Sequence, residues 1–405
     1  MQPSKRTRIE TMNTSTHPAL LGSLKQSKTA GKLINFSPGP TSLPEAVEER
    51  IADSFKRPGL TSLALSHRSP EFIDIIDRTK ASVRRVMGIP DQYEVLFTHG
   101  GGHGQFAAVP LNLCHKTSDV ATYVVNGTWT ERARDEALRY CAVQTIDGRD
   151  SMGGYTTFPE LKEKDIDTNS RFFFLCSNET VNGIENHRLP KLPESRRHIP
   201  LVIDASSDFT TKPIDWQDDG VGVLFACASK NIGHPGVTLT VVRKDLLGNE
   251  KFSPLCPGVF NYTTNAEADN LWNTPATFNI EVIGFLMEWL EREGGVAANE
   301  RRSIAKSSIL YDVIDNSGGF YRTPVQDKSL RSRMNVPFNV NGGDENLTSE
   351  FLIQSWNEGM VGLRTLTPFG VGSYLRASLY NCITVEDAAY LADFMKRFAG
   401  KYQMK

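Results

Sequence analysis

The sequence predicts an α/β fold: a large domain built on a mostly parallel sheet covered by helices, and a smaller C-terminal α+β domain. Three observations predict it. Short, almost wholly apolar runs recur between residues 94 and 242. Helical or loop segments separate most of them, as in successive βα units. After about residue 280 the pattern changes to amphipathic helices and two isolated strands. A strand that is apolar on both sides must be covered on both sides, which is the environment of a parallel sheet. A chain of 405 residues has length for two such domains and needs no metal or disulfide to hold a core.

The elements follow in order. Residues 1–32 are rich in Ser, Thr, Lys and Arg, carry a single acidic residue, Glu10, and lack a secretory apolar segment. They read as a disordered tail or a targeting segment. Order begins near Leu33. The stretch SLPEAVEERIADSF predicts a helix, with Ser42 and Glu45 as a capping box and Val47, Ile51 and Phe55 on one face. Strands are expected at Glu94–Thr98, Val120–Val125, Phe172–Cys176, Leu201–Asp204, Val221–Cys227 and Thr238–Val242. Helices are expected at Glu281–Glu293, stopped by Gly294 and Gly295, and at Asn299–Ile314. Strands at Asn335–Val340 and Leu375–Leu379 and a last helix, opened by Thr384 with Asp387, complete the chain. The expected division is 33–285 for the large domain and 286–405 for the small one.

Composition removes several functions. Lys plus Arg total 45 and Asp plus Glu 47, a balance that argues against nucleic acid as a partner. No apolar run approaches the length of a membrane span, so no membrane partner is expected. The six cysteines form no CxxC pair and read as buried thiols in a reducing, cytoplasmic setting, with organelle targeting left to residues 1–32. No metal site is expected.

Ligands in open α/β sheets bind beyond the carboxyl ends of strands, so the residues that follow each strand carry the chemistry. After the first comes HGGGHGQFAA, either a tight turn or a glycine-rich helix start able to face a phosphate. After the second comes Trp129, a core aromatic or a flat partner for a ligand ring. SNETVNG follows the third and offers hydroxyls and amides. Asp204 ends the fourth, and Lys230 follows the fifth. Asp204 and Lys230 form either an internal ion pair or the anchors of pyridoxal phosphate. That cofactor needs a lysine for its aldehyde, a carboxylate for its ring nitrogen, a helix start for its phosphate and a flat neighbour for its ring.

The stretches NFSPGP, SHRSPEF, VLFTHGGGHGQFAAVPLNL, CSNETVNG, SKNIGHPGVTLTVVRKDLLG, NTPATF, RSRMNVPF and RASLYN resemble those of the phosphoserine aminotransferases. These are class V aminotransferases among the fold-type I pyridoxal-phosphate enzymes. The resemblance runs from Ile34 to the C-terminus. It implies that Lys230 binds the cofactor covalently and shuttles a proton, and that Asp204 partners the pyridine nitrogen. It implies that Trp129 stacks on the ring, that Gly102 and His103 meet the cofactor phosphate, and that Thr180 bonds the ring-hydroxyl side. Asn273 and Thr274 resemble a pair that reaches the phosphate of a neighbouring subunit, which implies a homodimer with shared sites. Arg376 resembles the residue that grips the substrate carboxylate, and His67 and Arg68 those that meet its far anion.

Two stretches depart from the family pattern. Ser229 stands where the family has a glutamine that touches the cofactor phosphate. The segment LRTLTPFGVGSYLRAS before Arg376 is longer than usual and lacks a His-Arg pair that helps hold a substrate phosphate. The resemblance implies transamination between O-phospho-L-serine/3-phosphohydroxypyruvate and glutamate/2-oxoglutarate, in L-serine biosynthesis. The departures keep two alternatives open: an aminotransferase for another, unphosphorylated amino acid, and a non-catalytic paralogue.

Overall fold

A computed structural model describes residues 33–56, 58–248, 252–363 and 374–403. Residues 1–32, read as a tail or targeting segment, lie outside the described residues, as does all but the last residue of the altered segment 365–374.

In chain order the elements begin with β1 (Ile34–Asn35), α1 (Glu45–Phe55), α2 (Pro70–Met87), β2 (Tyr93–Thr98), α3 (Gly101–Leu113), β3 (Val120–Val125), α4 (Thr128–Ala137) and β4 (Ala142–Asp147). They continue with β5 (Phe173–Cys176), β6 (Asn178–Glu179), β7 (Ile184–Glu185), β8 (Leu201–Asp204), β9 (Val221–Cys227), β10 (Thr238–Arg243), α5 (Tyr262–Glu267) and α6 (Thr277–Arg292). Then come α7 (Gly295–Asp315), β11 (Tyr321–Arg322), β12 (Asn335–Val340), α8 (Glu345–Asn357), β13 (Met360–Val361), β14 (Tyr374–Ser378) and α9 (Val385–Gln403).

The large sheet has seven strands in the order β2-β10-β9-β8-β5-β3-β4. Only β10 runs against its neighbours. The apolar runs work as the strand period requires, because alternate residues enter opposite cores. Val95, Phe97, Leu201, Ile203, Leu224 and Ala226 face one core, with Phe72 and Ile76 of α2 and Ile283 and Met287 of α6. Leu96, Val202, Val223 and Phe225 face the other, with Phe106 and Val109 of α3 and Ala133 of α4. The sheet is thereby covered on both faces, as the runs predict.

Helix ends follow local chemistry. Ser69 Oγ accepts from the Phe72 amide at the start of α2, Pro70 occupies its first turn, and Gly88 ends it at φ 62°. Thr384 and Asp387 exchange hydrogen bonds of 2.9 and 3.0 Å at the start of α9, a complete capping box. The box expected at Ser42 does not form. Pro44 is the N-cap of α1 and makes no side-chain cap bond, while Ser42 Oγ is 3.5 Å from Asn35 Nδ2. Strand β4 was not expected, because AVQTID is an edge strand whose largely exposed side chains break the apolar pattern.

The C-terminal unit carries the three-stranded antiparallel sheet β11-β12-β14. Its core holds Leu310 of α7, Phe338, Phe351 of α8, Leu375, and Leu391 and Phe398 of α9. The boundary expected at 285 falls inside α6, whose Phe285, Leu286 and Leu290 pack in the large core. Phe36 packs in the C-terminal core, and β1 pairs with β13. Val296, at the start of α7, still packs on the large core, while Leu310 near its end lies in the C-terminal core, so the cores divide within α7, with Ile34–Phe36 on the C-terminal side. The units are joined by a buried ion pair, Arg333 Nη2 to Glu185 Oε1 at 2.5 Å. Among the described residues no helix is long and apolar enough to cross a membrane.

Candidate active site

Strands β2, β3, β5, β8 and β9 all end at the same edge of the sheet, so the five loops singled out in the sequence converge there. The register places Cys176 beside Asp204 and Asp204 beside Phe225. The Asp204 side chain is buried, and its Oδ1 accepts from the Ser206 amide at 2.9 Å. Burial pushes its carboxyl up to about 6, against the pull of the Ser206 bonds and of the Lys230 charge. A buried carboxylate that still needs a counter-charge is suited to a cationic ring nitrogen.

Lys230 sits in the turn after β9, where its amide donates to the Cys227 carbonyl. Its Nζ lies 5.6 Å from the centroid of the Trp129 ring. The NFSPGP loop makes room for its stem. A Cβ on Gly39, which has φ +125°, would lie 3.0 Å from Lys230 Cδ. The charge of Lys230 acts on Asp204, but among the described residues the two make no direct ion-pair contact, so the expected alternative of an internal ion pair is not what the structure shows.

Helix α3 opens on Gly100, at φ +90°, with no side-chain cap and no acidic residue in its first turn. Such a helix start favours an anion. The Gly102 amide reaches the Cys227 thiol, and Cys227 Sγ lies 3.2 Å from Ser206 Oγ, so this helix is tied to the loop that carries Asp204. His103 is exposed on the first turn, with its ring 5.7 Å from that of Trp129 and nearly perpendicular to it. Trp129 Nε1 is buried without a partner.

The contrast with α4 is instructive. Its N-cap is Gly127, which has no side chain to cap with. The caps arrive from SNETVNG instead. The Thr128 amide donates to Asn182 Oδ1 (3.0 Å), the Trp129 amide to Glu179 Oε2 (3.1 Å) and the Thr130 amide to Glu179 Oε1 (2.7 Å). The sequence alone presents this stretch as a ligand-facing loop and gives Glu179 no role. The signal in the sequence was an acid within a segment flanked by apolar residues, too costly to bury unless fully bonded.

Thr180 is buried, and its carbonyl accepts from Arg376 Nη1 at 2.8 Å. Arg376 Nε is buried without a hydrogen-bond partner among the described residues. The structure therefore brings Asp204, Lys230, Trp129, Gly102, His103, Thr180 and Arg376 to one edge. Ser229 adjoins Lys230, and its carbonyl accepts from the Thr41 amide. Asn273 is held near α3 by its 3.3 Å contact with His99. His67, Arg68 and Thr274 stay apart. Among the described residues no hydrogen bond, ion pair or ring contact joins their side chains to the cluster, and Arg68 and Thr274 are exposed.

These residues fit pyridoxal phosphate: an uncapped helix start for the phosphate, a buried carboxyl with no cation in direct contact among the described residues, an aromatic face and a lysine above it. The comparisons agree. The class-V aminotransferase model matches residues 33–391. The phosphoserine aminotransferase of Drosophila melanogaster is 39% identical over 90% of this chain and 98% of its own. A probable phosphoserine aminotransferase of Caenorhabditis elegans is 40% identical over 91% of this chain and 97% of its own. The phosphoserine aminotransferase structure from Bacillus circulans subsp. alkalophilus superposes with a TM-score of 0.83 at 33% identity, covering 91% of this chain and 99% of that one. The pyridoxal-phosphate-bound enzyme of Trichomonas vaginalis gives 0.82 at 30% identity, covering 90% of this chain and all of that one. This chain belongs to the class-V aminotransferases, in their phosphoserine aminotransferase branch.

Proposed function

We propose that the chain exchanges an amino group between O-phospho-L-serine/3-phosphohydroxypyruvate and glutamate/2-oxoglutarate, as a homodimer with shared sites. The observation that carries this reading is the placement of Lys230 Nζ over the Trp129 ring, at the strand edge where Asp204 is buried. Bound pyridoxal phosphate supplies an aldehyde for the amino group and a ring that withdraws the electrons left at the substrate Cα. Asp204 would hold the ring nitrogen protonated, and Trp129 would offer its indole face to the ring. Lys230 would hold the cofactor's aldehyde carbon until a substrate amine displaces it, and its freed Nζ would then carry a proton from the substrate Cα to that carbon. The first turn of α3, with Gly102 and His103, receives the cofactor phosphate, and Thr180 meets the ring-hydroxyl side. Arg376 binds the substrate carboxylate.

A second subunit accounts for the residues that stand apart. Leu63, near His67, is 63% exposed, and Trp272, beside Asn273, is 47% exposed. The two segments are tied together, since the Ser62 carbonyl accepts from Thr277 Oγ1 at 2.6 Å. This apolar, connected surface suits a two-fold contact that delivers His67, Arg68, Asn273 and Thr274 to the partner's site.

The missing His-Arg pair before Arg376 favours a second reading, an unphosphorylated amino acid as substrate. Specificity constants for phosphoserine and serine, each with 2-oxoglutarate, separate the two. The proposal expects phosphoserine to exceed serine at least about tenfold, or roughly 1.4 kcal/mol. Equal constants would promote the second reading.

A further inference from the structure

Glu179 is buried, lies in β6 and touches the helix that carries Trp129, yet the reaction described above does not use it. Its two oxygens accept three bonds. Oε2 takes the Trp129 amide at 3.1 Å, and Oε1 takes the Thr130 amide at 2.7 Å and the Thr130 hydroxyl at 2.9 Å. The Thr130 hydroxyl in turn accepts from the amides of Asn126 and Gly127, both at 3.1 Å. The carboxylate therefore holds the whole turn from the end of β3 into α4. Its entry depends on Gly127, because a Cβ there would lie 2.2 Å from Glu179 Cδ. An ordinary Ser or Asp cap at 127 would exclude it. The helix has given up a cap of its own in favour of one delivered from the segment that also holds the substrate-binding arginine. Thr180, the next residue, accepts from Arg376, and Asn178, the preceding one, donates to Asn335 of β12 at 2.8 Å.

We propose that Glu179 is a positioning residue, whose carboxylate fixes the Trp129 backbone and with it the placement of the indole against the cofactor ring. The inference rests on the stacking role of Trp129. A helix cap of purely structural value would stabilise α4 without any dependence on the indole. Glu179 would instead affect cofactor binding only while the indole is present.

The test is a double-mutant cycle on cofactor affinity, measured by titrating the apo chain with pyridoxal phosphate, with Glu179→Gln and Trp129→Ala. Glutamine keeps the shape, and its Oε1 can still serve Thr130. Its Nε2, however, is a donor facing the Trp129 N–H. Burial raises the Glu179 carboxyl to about 7, so the titration is run above that pH, where the expected result is about tenfold weaker binding for Glu179→Gln, the scale of one lost bond to a charged acceptor. No further loss is expected when the substitution is added to Trp129→Ala. Gly127→Ala, which displaces the carboxylate while keeping Glu179, should weaken binding similarly. Amide hydrogen exchange on the apo chain should quicken at residues 128–130 in Glu179→Gln and stay unchanged elsewhere. An equal loss in both backgrounds, or wild-type affinity for Glu179→Gln beside a weakened Trp129→Ala, would overturn the proposal. Wild-type affinity for Trp129→Ala would instead overturn the stacking role, and the proposal with it.

Discussion

Arg376, on β14 of the C-terminal unit, donates from Nη1 to the Thr180 carbonyl of the large unit at 2.8 Å. The bond holds a guanidinium in place while its buried Nε has no hydrogen-bond partner among the described residues. Burial lowers its pKa to about 10, so it remains charged at neutral pH. A preorganised cation with an unused donor is what a substrate carboxylate requires.

Arg376→Lys should therefore raise KM for both the amino acid and the oxo acid by one to two decades. That matches a loss of ~1.5–3 kcal/mol for one bond between charged groups. Cofactor content should be unchanged. Steady-state kinetics on protein of known cofactor occupancy checks it, and unaltered KM values would remove Arg376 from the carboxylate site.

Asp204 gives a pH-dependent prediction. In the chain without cofactor, burial raises its folded-state carboxyl from 3.8 to about 6. The folded state then holds the proton more tightly than the unfolded state. The stability this provides is complete below about pH 4 and is lost as pH rises through 6. Asp204→Asn removes the ionisation, so the apo variant should gain on the wild type between pH 4 and 7 by about 3 kcal/mol. Denaturant unfolding of both apo proteins across that range checks it, and parallel curves would contradict the assignment. Loaded with cofactor, the same variant should lose most turnover, because a neutral amide does not keep the ring nitrogen protonated.

The second subunit is tested at Trp272. Trp272→Glu places a charge in the apolar surface that also presents Leu63. The variant should fall from dimer to monomer in light scattering and release its cofactor as it does so. A wild-type monomer that retains stoichiometric cofactor would contradict the shared site.

Arg68 is where the proposed phosphate preference is tested. Arg68→Ala should reduce the ratio of specificity constants for phosphoserine over serine about tenfold or more, while leaving the constant for serine nearly unchanged. An unchanged ratio would locate the phosphate-binding charge elsewhere.

The parts legible in the sequence are those governed by burial on both faces. Strands β3, β8 and β9 run over the predicted residues because nothing charged interrupts them until the sheet edge, where Asp204 and Lys230 appear. Strand β4 was illegible for the opposite reason, since one edge strand with exposed side chains has no apolar signature. Helix α8 also lacks a signature in the sequence. Its first turn is capped by Asp344, but Thr348, Phe351 and Ser355 are its buried residues, a mixed face with a weak period. The role of Glu179 could not be read from spacing, because the cap and the capped helix are far apart in the chain. Ser42 failed as a cap because Pro44 starts α1 two residues later.

The most direct test of the account is where the cofactor is attached. Holoenzyme reduced with borohydride, then digested and mapped by mass spectrometry, should carry the cofactor on the peptide containing Lys230. Lys230→Ala should show no such adduct and essentially no transamination. Modification of a different lysine, or a Lys230→Ala variant that retains more than a few per cent of wild-type turnover, would contradict the assignment on which the site is built.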